Sequence, residues 1–445
     1  MNLLHFMLIT RIMLAAWFAW CAPLLEARNA QTVSVSVCVC YMVLSIFLLR
    51  TYNAYKIGIF RTGEVFYAQT LANLFSNGIT YVFACLIQLC LLPVWPVLAV
   101  FFAQTFVCAV WCLAANRLYF KLYPPMKTLI IYQAEGDLEK LHEIAYFENR
   151  FDVQKKLKVP ATICDIMQAM NGYQAVIVSG VEAMLRNGIV KECIDKDINC
   201  YFIPHTGDVI IAGAKHLQSF SVPIMSAKRA MLRPEYAFAK RTLDILLAMI
   251  GLILASPFML ITAVAIKAYD HGPVLYKQIR LTKDGKRFKI LKFRSMRVDA
   301  EKDGIARLAA DHDDRITPVG RVIRAIRFDE LPQIFNILMG DMSIVGPRPE
   351  RPEIAAQYEK EMPAFSLRLQ VKAGLTGTAQ VYGRYNTEPR DKLKMDLMYI
   401  NHMSLVEDLK LIFATVKILF LPESTEGVAA GQTTAMENNY TENDV

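Results

Sequence analysis

The chain has 445 residues, of which 54% are hydrophobic and 20% are charged. Soluble globular proteins carry about 45–50% apolar and about 25% charged residues, so an ordinary soluble enzyme is excluded, as are collagen, disorder and a small disulfide scaffold. The formal net charge of +8 is unevenly distributed. It is +6 over residues 1–127, −3 over 128–227, +10 over 228–420 and −5 over the last 25 residues. We therefore expect a membrane protein with a basic domain.

Four apolar stretches in the first quarter of the chain are each near the roughly 20 residues that a transmembrane helix needs. They run over Leu3–Leu25, Val33–Leu49, Leu71–Leu92 and Val94–Leu113. A cleaved signal peptide is the alternative for the first stretch, but it lacks a basic segment at its start and three more stretches follow at once. We expect a bundle of four transmembrane helices over residues 1–126.

Lysine and arginine in the connecting segments predict the orientation of these helices. Three basic residues lie in the loop before the third stretch and three follow the fourth: Arg50, Lys56, Arg61, Arg117, Lys121 and Lys127. The other two loops hold only Arg28 between them. Because cytoplasmic loops carry the excess of Lys and Arg, we expect the N-terminus and everything after Lys121 on the cytoplasmic side of the membrane.

The middle region, residues 127–225, alternates short apolar runs with helical patterns. Strands and helices are predicted in turn over Thr128–Tyr132, Asp137–Phe151, Ala175–Ser179, Glu182–Ile194 and Cys200–Ile203. This alternation is typical of a Rossmann-like parallel α/β layer. The turn after the first strand is Gln133-Ala-Glu-Gly136, not the glycine-rich turn of dinucleotide-binding proteins. We interpret the region as a spacer or dimerisation domain, with a regulatory ligand as the alternative.

The fifth apolar stretch, Ile245–Ile266, has the length of a membrane span. Ser256 and Pro257 lie at its middle, and a proline there removes a helical hydrogen bond. A crossing would put the basic region after it outside the cell, against the distribution of Lys and Arg. We therefore expect a re-entrant membrane helix over 241–268, broken at Ser256-Pro257, with both ends on the cytoplasmic side. An ordinary span kinked by proline is the alternative.

A basic segment follows, Lys277–Arg297, with nine lysines and arginines and only one acidic residue, Asp284. Apolar and basic residues alternate within 287–294, which is the pattern of a strand with one buried and one charged face. Taken alone, such a segment indicates a solvated face or a membrane-surface patch. The residues that come next favour a more specific interpretation.

Two adjacent carboxylates, Asp329 and Glu330, precede a predicted helix that begins at Pro332 and ends at about Met339, before Gly340. The stretch before them carries three arginines spaced by three: Arg321, Arg324 and Arg327. Helix N-termini bind anions and keep a neighbouring carboxylate ionised. An ionised Asp329 could attack phosphorus while Glu330 holds Mg²⁺. The alternative is a helix-capping acid paired to arginines.

Two turns add candidate phosphate-binding residues. The turn Gly346–Pro349 presents Arg348, whose guanidinium fork matches phosphate oxygens. The turn Lys372–Gly377 places backbone N–H groups near Lys372, which is a candidate anion nest. Each signal is weak alone, because turns of Pro and Gly are common. Leu405–Leu421 is an apolar run interrupted by charges, typical of an interfacial helix.

The motifs between Lys240 and Phe420 together resemble those of the monotopic phosphoglycosyl transferases, also called bacterial sugar transferases. The motifs are Lys240-Arg241-x-x-Asp244, Ser256-Pro257, Gly272-Pro273, Lys292-Phe-Arg-Ser-Met296, Asp329-Glu-Leu-Pro-Gln333, Gly340-Asp-Met-Ser343, Gly346-Pro-Arg-Pro349, Gly374-Leu-Thr-Gly377, Ala379-Gln-Val381, Gly383-Arg384 and Asp396-x-x-Tyr399. Four apolar stretches followed by an α/β spacer look like the large members of the family, which are undecaprenyl-phosphate hexose-1-phosphate transferases.

The resemblance implies a reaction. Asp329 would attack the β-phosphate of a UDP-sugar, expel UMP and form an acyl phosphate. Undecaprenyl phosphate would then take the sugar phosphate from Asp329, which begins the repeat unit of an exopolysaccharide, capsule or O-antigen. Glu330 would bind Mg²⁺, and Arg348 would hold a phosphate. The expected location is the cytoplasmic face of a bacterial inner membrane.

The resemblance also implies the roles of further residues. Four would line the site and bind substrate or phosphate: Lys292, Arg294, Lys372 and Asp396. Four would anchor the domain in the membrane, the first two of them near lipid headgroups: Lys240, Arg241, Ser256 and Pro257. We expect a mostly helical catalytic domain over 226–421, a disordered acidic tail over 422–445 and a homodimer as a plausible assembly. Nucleic acid is not an expected partner.

Two rival interpretations start from other features. A metal-dependent glycosyltransferase that releases UDP is suggested by the D-x-D triplets Asp195-Lys-Asp197 and Asp311-His-Asp313, although such triplets arise often by chance. A non-catalytic scaffold for polysaccharide assembly is the other rival, and the Asp329-Glu330 pair argues against it. Ala373 and Thr378 depart from the family pattern, which bears on the choice of sugar more than on the chemistry.

Overall fold

The computed structural model describes residues 2–24, 30–142, 144, 146–160, 163–219, 222–297, 315–383 and 387–419. Its contacts divide the chain into two compact units that meet in sequence between Pro204 and His205. The described residues are mostly helical, with several long apolar helices and a parallel sheet, as expected of a membrane protein.

The first unit begins with four apolar helices. They are α1 (Asn2–Ala16, continued as a π-helical segment to Cys21), α2 (Ala30–Thr51), α3 (Thr62–Gln88) and α4 (Trp95–Leu122). Each is long and apolar enough to cross a membrane. They share one apolar cluster, with Met13 from α1, Tyr41 from α2, Ala84 from α3 and Val100 from α4. The four predicted apolar helices are therefore confirmed as helices.

A four-stranded parallel sheet follows in the same unit. Its strands are β1 (Met126–Tyr132), β2 (Phe151–Lys158), β3 (Ala175–Ser179) and β4 (Asn199–Phe202), in the order β2-β1-β3-β4. The helices between them are α5 (Glu135–His142), α6 (Phe147–Arg150), α7 (Ile163–Ala169) and α8 (Ala183–Asp195). The parallel α/β layer is confirmed, and the strand predicted over Ala175–Ser179 is β3, which is fully buried.

Strand β2 and helix α7 are elements of this layer that the sequence pattern missed. The predicted helix Asp137–Phe151 is two shorter helices, and the chain then extends into β2. β2 lies at the edge of the sheet and buries only its first residue, Phe151. Because an edge strand exposes most of its side chains, lysines and a glutamine replace the apolar run that marks a central strand.

The second unit holds the remaining elements. Its first helices and strands are α9 (Thr206–Ala212), β5 (Lys215–Ser219), β6 (Val222–Ser226), α10 (Pro234–Asp270), β7 (Leu275–Leu281) and β8 (Arg287–Phe293). There follow α11 (Pro318–Ala325), α12 (Gln333–Met339), β9 (Ser343–Val345), α13 (Pro352–Glu361), β10 (Gly374–Thr376), α14 (Thr378–Tyr382), α15 (Pro389–Asn401) and α16 (Leu405–Leu419).

Three small sheets and one main core hold this unit together. β5 with β6 and β7 with β8 form antiparallel hairpins, and β9 pairs with β10 in parallel. The main core includes Tyr358, Phe365, Leu393, Leu397 and Leu411. The strand predicted in the basic segment is β8, whose residues Phe288, Ile290 and Phe293 are buried.

The predicted domain bounds, 1–126, 127–225, 226–421 and 422–445, stay predictions. The contacts of α9 associate it with α15 of the second unit, through a bond from Asn401 Nδ2 to Val209 O (2.7 Å), rather than with the preceding sheet. The acidic tail lies outside the described residues.

Helix α10 differs from the prediction because it continues without a break through Ser256 and Pro257. Pro257 has no N–H to donate to the carbonyl of Ile253, one turn earlier. The Ser256 hydroxyl donates to that same oxygen, at 2.8 Å. The acceptor that proline would leave unpaired is therefore satisfied, and the helix has no gap at the predicted interruption. A bend at Ser256-Pro257, which a re-entrant path needs, stays a prediction.

Candidate active site

The two carboxylates lie on a 3₁₀ turn, Phe328–Glu330, between α11 and α12. Arg327 precedes the turn in a left-handed conformation (φ 56°), which reverses the chain after α11. Pro332 caps the N-terminus of α12, and Gly340 (φ 93°) ends it. Asp329 and Glu330 therefore come just before a helix N-terminus, as predicted, with the helix beginning one residue later.

Glu330 is the centre of an ion triad. Its Oε1 accepts hydrogen bonds from Lys292 Nζ at 2.8 Å and from Arg348 Nη2 at 2.9 Å. Burial alone would raise the pKa of Glu330, but these two cations more than offset it and hold the pKa well below its usual range. Glu330 is therefore ionised throughout the physiological pH range, although its side chain is only 15% exposed.

Asp329 is influenced in the opposite direction. Burial raises the pKa of Asp329, the Lys292 ammonium opposes the rise, and the negative charge of Glu330 adds to it. Two adjacent carboxylates whose pKa values are separated by their surroundings are a common feature of acid–base and nucleophilic sites. The pair thus offers one permanently charged carboxylate beside one that is easier to protonate.

The two carboxylates also suit a magnesium ion. Within the described ranges, no group of three or more His, Cys, Asp or Glu side chains is arranged to hold a metal. Mg²⁺ at sites of phosphoryl transfer usually takes one or two carboxylates and completes its shell with phosphate oxygens and water. Asp329 and Glu330 provide that number of hard oxygen ligands.

Asn336 connects the strand that carries Lys292 to the helix that follows Glu330. It is fully buried on α12, where its Nδ2 donates to Lys289 O and its Oδ1 accepts from Leu291 N, both at 2.9 Å. The sequence interpretation missed this residue. The available signal was a polar side chain within the otherwise apolar run Ile334–Met339.

Arg348 is supported from behind by residues of α15 and the segment before β10. Arg368 Nη2 donates to Arg348 O at 3.0 Å and pairs with Asp396 Oδ2 at 2.7 Å. The Asp396 side chain is 2% exposed, so it lies behind the site instead of lining it as predicted. Burial raises the pKa of Asp396 to about 6, against the opposing charge of Arg368. Sequence reasoning missed Arg368.

Arg294 and Lys372 are not part of the group around Glu330. The Arg294 guanidinium forms a two-pronged ion pair with Asp270 at the end of α10, with one of its bonds, from Nη1 to Oδ2, at 2.7 Å. Burial lowers the pKa of Lys372, the charge of Arg241 adds to the lowering, and the charge of Asp244 opposes it. Both residues thus contact α10 or its neighbourhood, and neither contacts the carboxylate pair.

Lys240 and Arg241, predicted to lie near lipid headgroups, both make bonds within the second unit. Lys240 Nζ pairs with Asp408 Oδ2 at 2.9 Å, and the two side chains are 12% and 2% exposed. Arg241 donates to the carbonyls of Ile337 and Leu338 at the end of α12, at 2.6 and 2.8 Å. These bonds hold α10 onto the domain. The position of Lys240 and Arg241 near lipid headgroups stays a prediction.

The D-x-D triplets receive no support as a metal site. Asp195 ends α8 and Asp197 follows it with φ 55°, in the first unit. The second triplet, Asp311-His-Asp313, lies outside the described residues.

Comparisons with known proteins match the second unit. A family model described as bacterial sugar transferase matches residues 235–422. A UDP-N-acetylgalactosamine-undecaprenyl-phosphate N-acetylgalactosaminephosphotransferase of Aeromonas hydrophila is 46% identical over 189 residues, which is 42% of this chain and 44% of that protein. A UDP-glucose:undecaprenyl-phosphate glucose-1-phosphate transferase of Klebsiella pneumoniae is 37% identical over 248 residues, 55% of this chain and 53% of that protein.

A shorter relative is covered more completely. A UDP-glucose:undecaprenyl-phosphate glucose-1-phosphate transferase of Caulobacter vibrioides is 41% identical over 190 residues, which is 42% of this chain and 71% of that protein. The chain spans about half the length of the first two curated relatives that it matches. The similarity therefore lies in the part of the chain that carries Asp329, Glu330, Lys292 and Arg348.

Proposed function

The chain belongs to the bacterial sugar transferase family, and we propose that it transfers a sugar 1-phosphate from a UDP-sugar to undecaprenyl phosphate, releasing UMP. The observation that carries the proposal is the Asp329–Glu330 pair, held before a helix N-terminus with Lys292 and Arg348 bound to Glu330. A hexose is the proposed sugar, since relatives are named for glucose and N-acetylgalactosamine. The reaction would begin the synthesis of an exopolysaccharide, capsule or O-antigen.

The first half-reaction uses Asp329 as a nucleophile. A carboxylate oxygen of Asp329 forms a bond to the β-phosphorus of the UDP-sugar, while the bond from that phosphorus to the bridging oxygen breaks. UMP leaves with the electron pair, and the sugar phosphate remains on Asp329 as an acyl phosphate. Lys292 and Arg348 place positive charge beside the phosphate oxygens, where charge is redistributed in the transition state.

The second half-reaction restores the carboxylate. A phosphate oxygen of undecaprenyl phosphate attacks the same phosphorus, and the bond to Asp329 breaks, leaving a lipid diphosphate sugar. One activated phosphate bond replaces another in each half, so we expect the overall reaction to be readily reversible. Glu330 would hold Mg²⁺, which would supply charge neutralisation when bound.

A re-entrant position of α10 would place this site at the membrane surface. Near the start of α10, Asp244 Oδ1 accepts from Ile344 N at 3.0 Å; further along, the ring of Phe258 lies 5.8 Å from that of Phe328. The opposite face exposes apolar side chains: Leu246, Ile253, Leu254, Leu260 and Ile261. Because both halves of α10 contact one compact unit, these contacts favour a helix that enters and leaves on the same side.

The proposed setting is the cytoplasmic face of a bacterial inner membrane. Helices α1–α4 would form a transmembrane bundle, with the N-terminus and the second unit on the cytoplasmic side, where UDP-sugars are made. The lysines and arginines that flank these helices support that orientation. A homodimer stays a prediction.

The test is a turnover assay with purified protein, undecaprenyl phosphate, Mg²⁺ and a panel of UDP-sugars. We expect UMP, not UDP, as the released nucleotide. The turnover rate of Asp329→Ala should be lower than that of wild type by at least about 1000-fold, because the nucleophile is removed. UDP release would favour the glycosyltransferase alternative, and turnover of Asp329→Ala at the wild-type rate would exclude the covalent mechanism. Asp391→Ala is the control. Asp391 lies in the first turn of α15 and pairs with Lys394, and this variant should release UMP at the wild-type rate.

A further inference from the structure

Strand β8 has a free edge that one side chain covers. Among the described residues, β8 pairs with β7 on one side only, in a two-stranded sheet. Lys289 and Leu291 are two residues apart, so their backbone groups point to the same edge. Asn336 presents one donor and one acceptor to that edge, both at 2.9 Å, and so replaces a neighbouring strand over this short length.

The backbone of Asn336 also fixes the end of α12. Its carbonyl oxygen accepts from Gly340 N and from Asp341 N, both at 3.0 Å. Gly340 N also contacts Ile337 O at 3.0 Å, which completes the helix-ending motif that a left-handed glycine makes. Asn336 therefore connects two elements: its backbone carbonyl bonds to the end of α12, and its side chain bonds to the edge of β8.

This connection determines how far Lys292 lies from Glu330. Lys292 directly follows Leu291, whose N–H is bound by Asn336. Glu330 lies before the other end of the same short helix, two residues ahead of its cap, Pro332. Since a slip of β8 by one residue would reverse the direction of every side chain on it, the Asn336 bonds select the register that brings Lys292 Nζ to 2.8 Å from Glu330 Oε1.

We propose that Asn336 is a positioning residue of the phosphosugar transfer site, which acts by holding Lys292 in register with the Asp329–Glu330 turn. The inference rests on the proposed function for its kinetic consequence. Its structural part concerns the Lys292–Glu330 contact alone and does not depend on the reaction.

The first experiment measures acetylation of Lys292 by mass spectrometry in the full-length protein, in wild type and in Asn336→Leu. Leucine has the same number of side-chain heavy atoms and the same branching, but it leaves Lys289 O and Leu291 N without the side-chain bonds. We expect several-fold faster acetylation of Lys292, because its ion pair with Glu330 loosens. Lys394, which pairs with Asp391 at 2.9 Å on α15, reports whether the fold is retained and should be unchanged. An unchanged rate at Lys292 would overturn the inference.

The second experiment is a double-mutant cycle on UMP release. We expect Asn336→Leu to lower kcat about 10- to 100-fold with a smaller effect on KM, as a displacement of about 1 Å can do. Added to Lys292→Met, it should cause little further loss, because its effect passes through that lysine. Fully additive losses would contradict the inference and indicate a general loss of stability. Asn401→Leu, which removes an Asn–carbonyl bond between α15 and α9, is the matched control and should add independently. Absence of UMP release from wild type would count against the proposed function only, since the acetylation result stands apart from it.

Discussion

Asp396 shows how a buried acid can serve the site without touching the substrate. Its carboxylate pairs with Arg368, and Arg368 donates to the backbone oxygen of Arg348, whose own side chain reaches Glu330. Three consecutive contacts thus connect a buried ion pair to the carboxylate turn. A change at Asp396 should therefore be felt first as a change in the stability of α15 and of the turn that presents Arg348.

The pKa of Asp396 predicts a pH dependence of local stability. The folded-state pKa of about 6 lies above the usual value for aspartate, so the folded state binds this proton more tightly than the unfolded state. The associated stability is complete below pH about 4 and is lost as the pH rises to about 6. Hydrogen exchange of the α15 amides, corrected for the intrinsic rate, should show falling protection over that range in wild type.

Asp396→Asn should lack this pH dependence, because the titrating group is gone. Asp391→Asn, on the same helix and paired to Lys394 at the surface, leaves Asp396 in place and should keep the wild-type profile. A flat profile in wild type would show that Asp396 is already ionised at low pH.

The residues of the site were predictable to different degrees. Asp329 and Glu330 were evident because both stand together at a helix start, and Arg348 because a rigid Pro/Gly turn presents it. Asp396 was placed at the site, but its partner Arg368 is 28 positions away in sequence and no local pattern reveals their contact. Asn336 was missed because polar residues in short helices are common, and only the free edge of β8 gives this one a role.

At the scale of elements, α10 shows that a proline need not end a helix. The Ser256 hydroxyl bonds to Ile253 O, the acceptor that Pro257 leaves without an N–H partner. In a lipid environment no water is available to satisfy such a carbonyl, and each unsatisfied group costs several kcal/mol. The serine and the proline are thus a functional pair, and their adjacency matters more than either residue alone.

Ser256→Ala should therefore weaken α10 near its middle. We expect faster amide exchange around residues 253–257 in protein held in lipid bilayers, since the Ile253 carbonyl loses its donor. Thr105→Val is the matched control, because Thr105 Oγ1 also donates to a carbonyl one turn earlier, Phe101 O at 2.8 Å, in a helix without proline at that point. There the backbone N–H still satisfies the acceptor, so little change is expected. Equal effects in the two variants would contradict the pairing.

Two strands were predictable because the burial of their side chains leaves a regular pattern of apolar residues in the sequence. β3 and β8 were predictable from continuous and alternating apolar residues, respectively. β2 was not, because an edge strand of mostly charged residues has no such pattern. The helix continues where the sequence predicted a break in α10, because the proline rule considers only the backbone, whereas the neighbouring hydroxyl provided the missing donor.

For the whole molecule, the main prediction is the side of the membrane on which each segment lies. A cysteine introduced at Lys283, in the turn between β7 and β8, should be shielded from an impermeant thiol reagent in intact cells. The chain supplies its own controls, since Cys90 and Cys164 are both exposed in the structure. The charge distribution puts Cys90 outside and Cys164 inside, so the first should react and the second should not. Reaction of Lys283→Cys together with Cys90 would show that α10 crosses the membrane.

The ion triad has a further consequence for turnover. Glu330 already pairs with both Lys292 and Arg348, so in the proposed reaction an incoming diphosphate must compete with an internal counter-ion for both cations. Its net gain in binding is smaller than two unpaired cations would give, and the nucleotide is held less tightly as a result. When UMP departs, the carboxylate can reclaim the same cations, which lowers the barrier to product release. Such a site would bind the substrate less tightly in the ground state and would release UMP faster than a site with two unpaired cations.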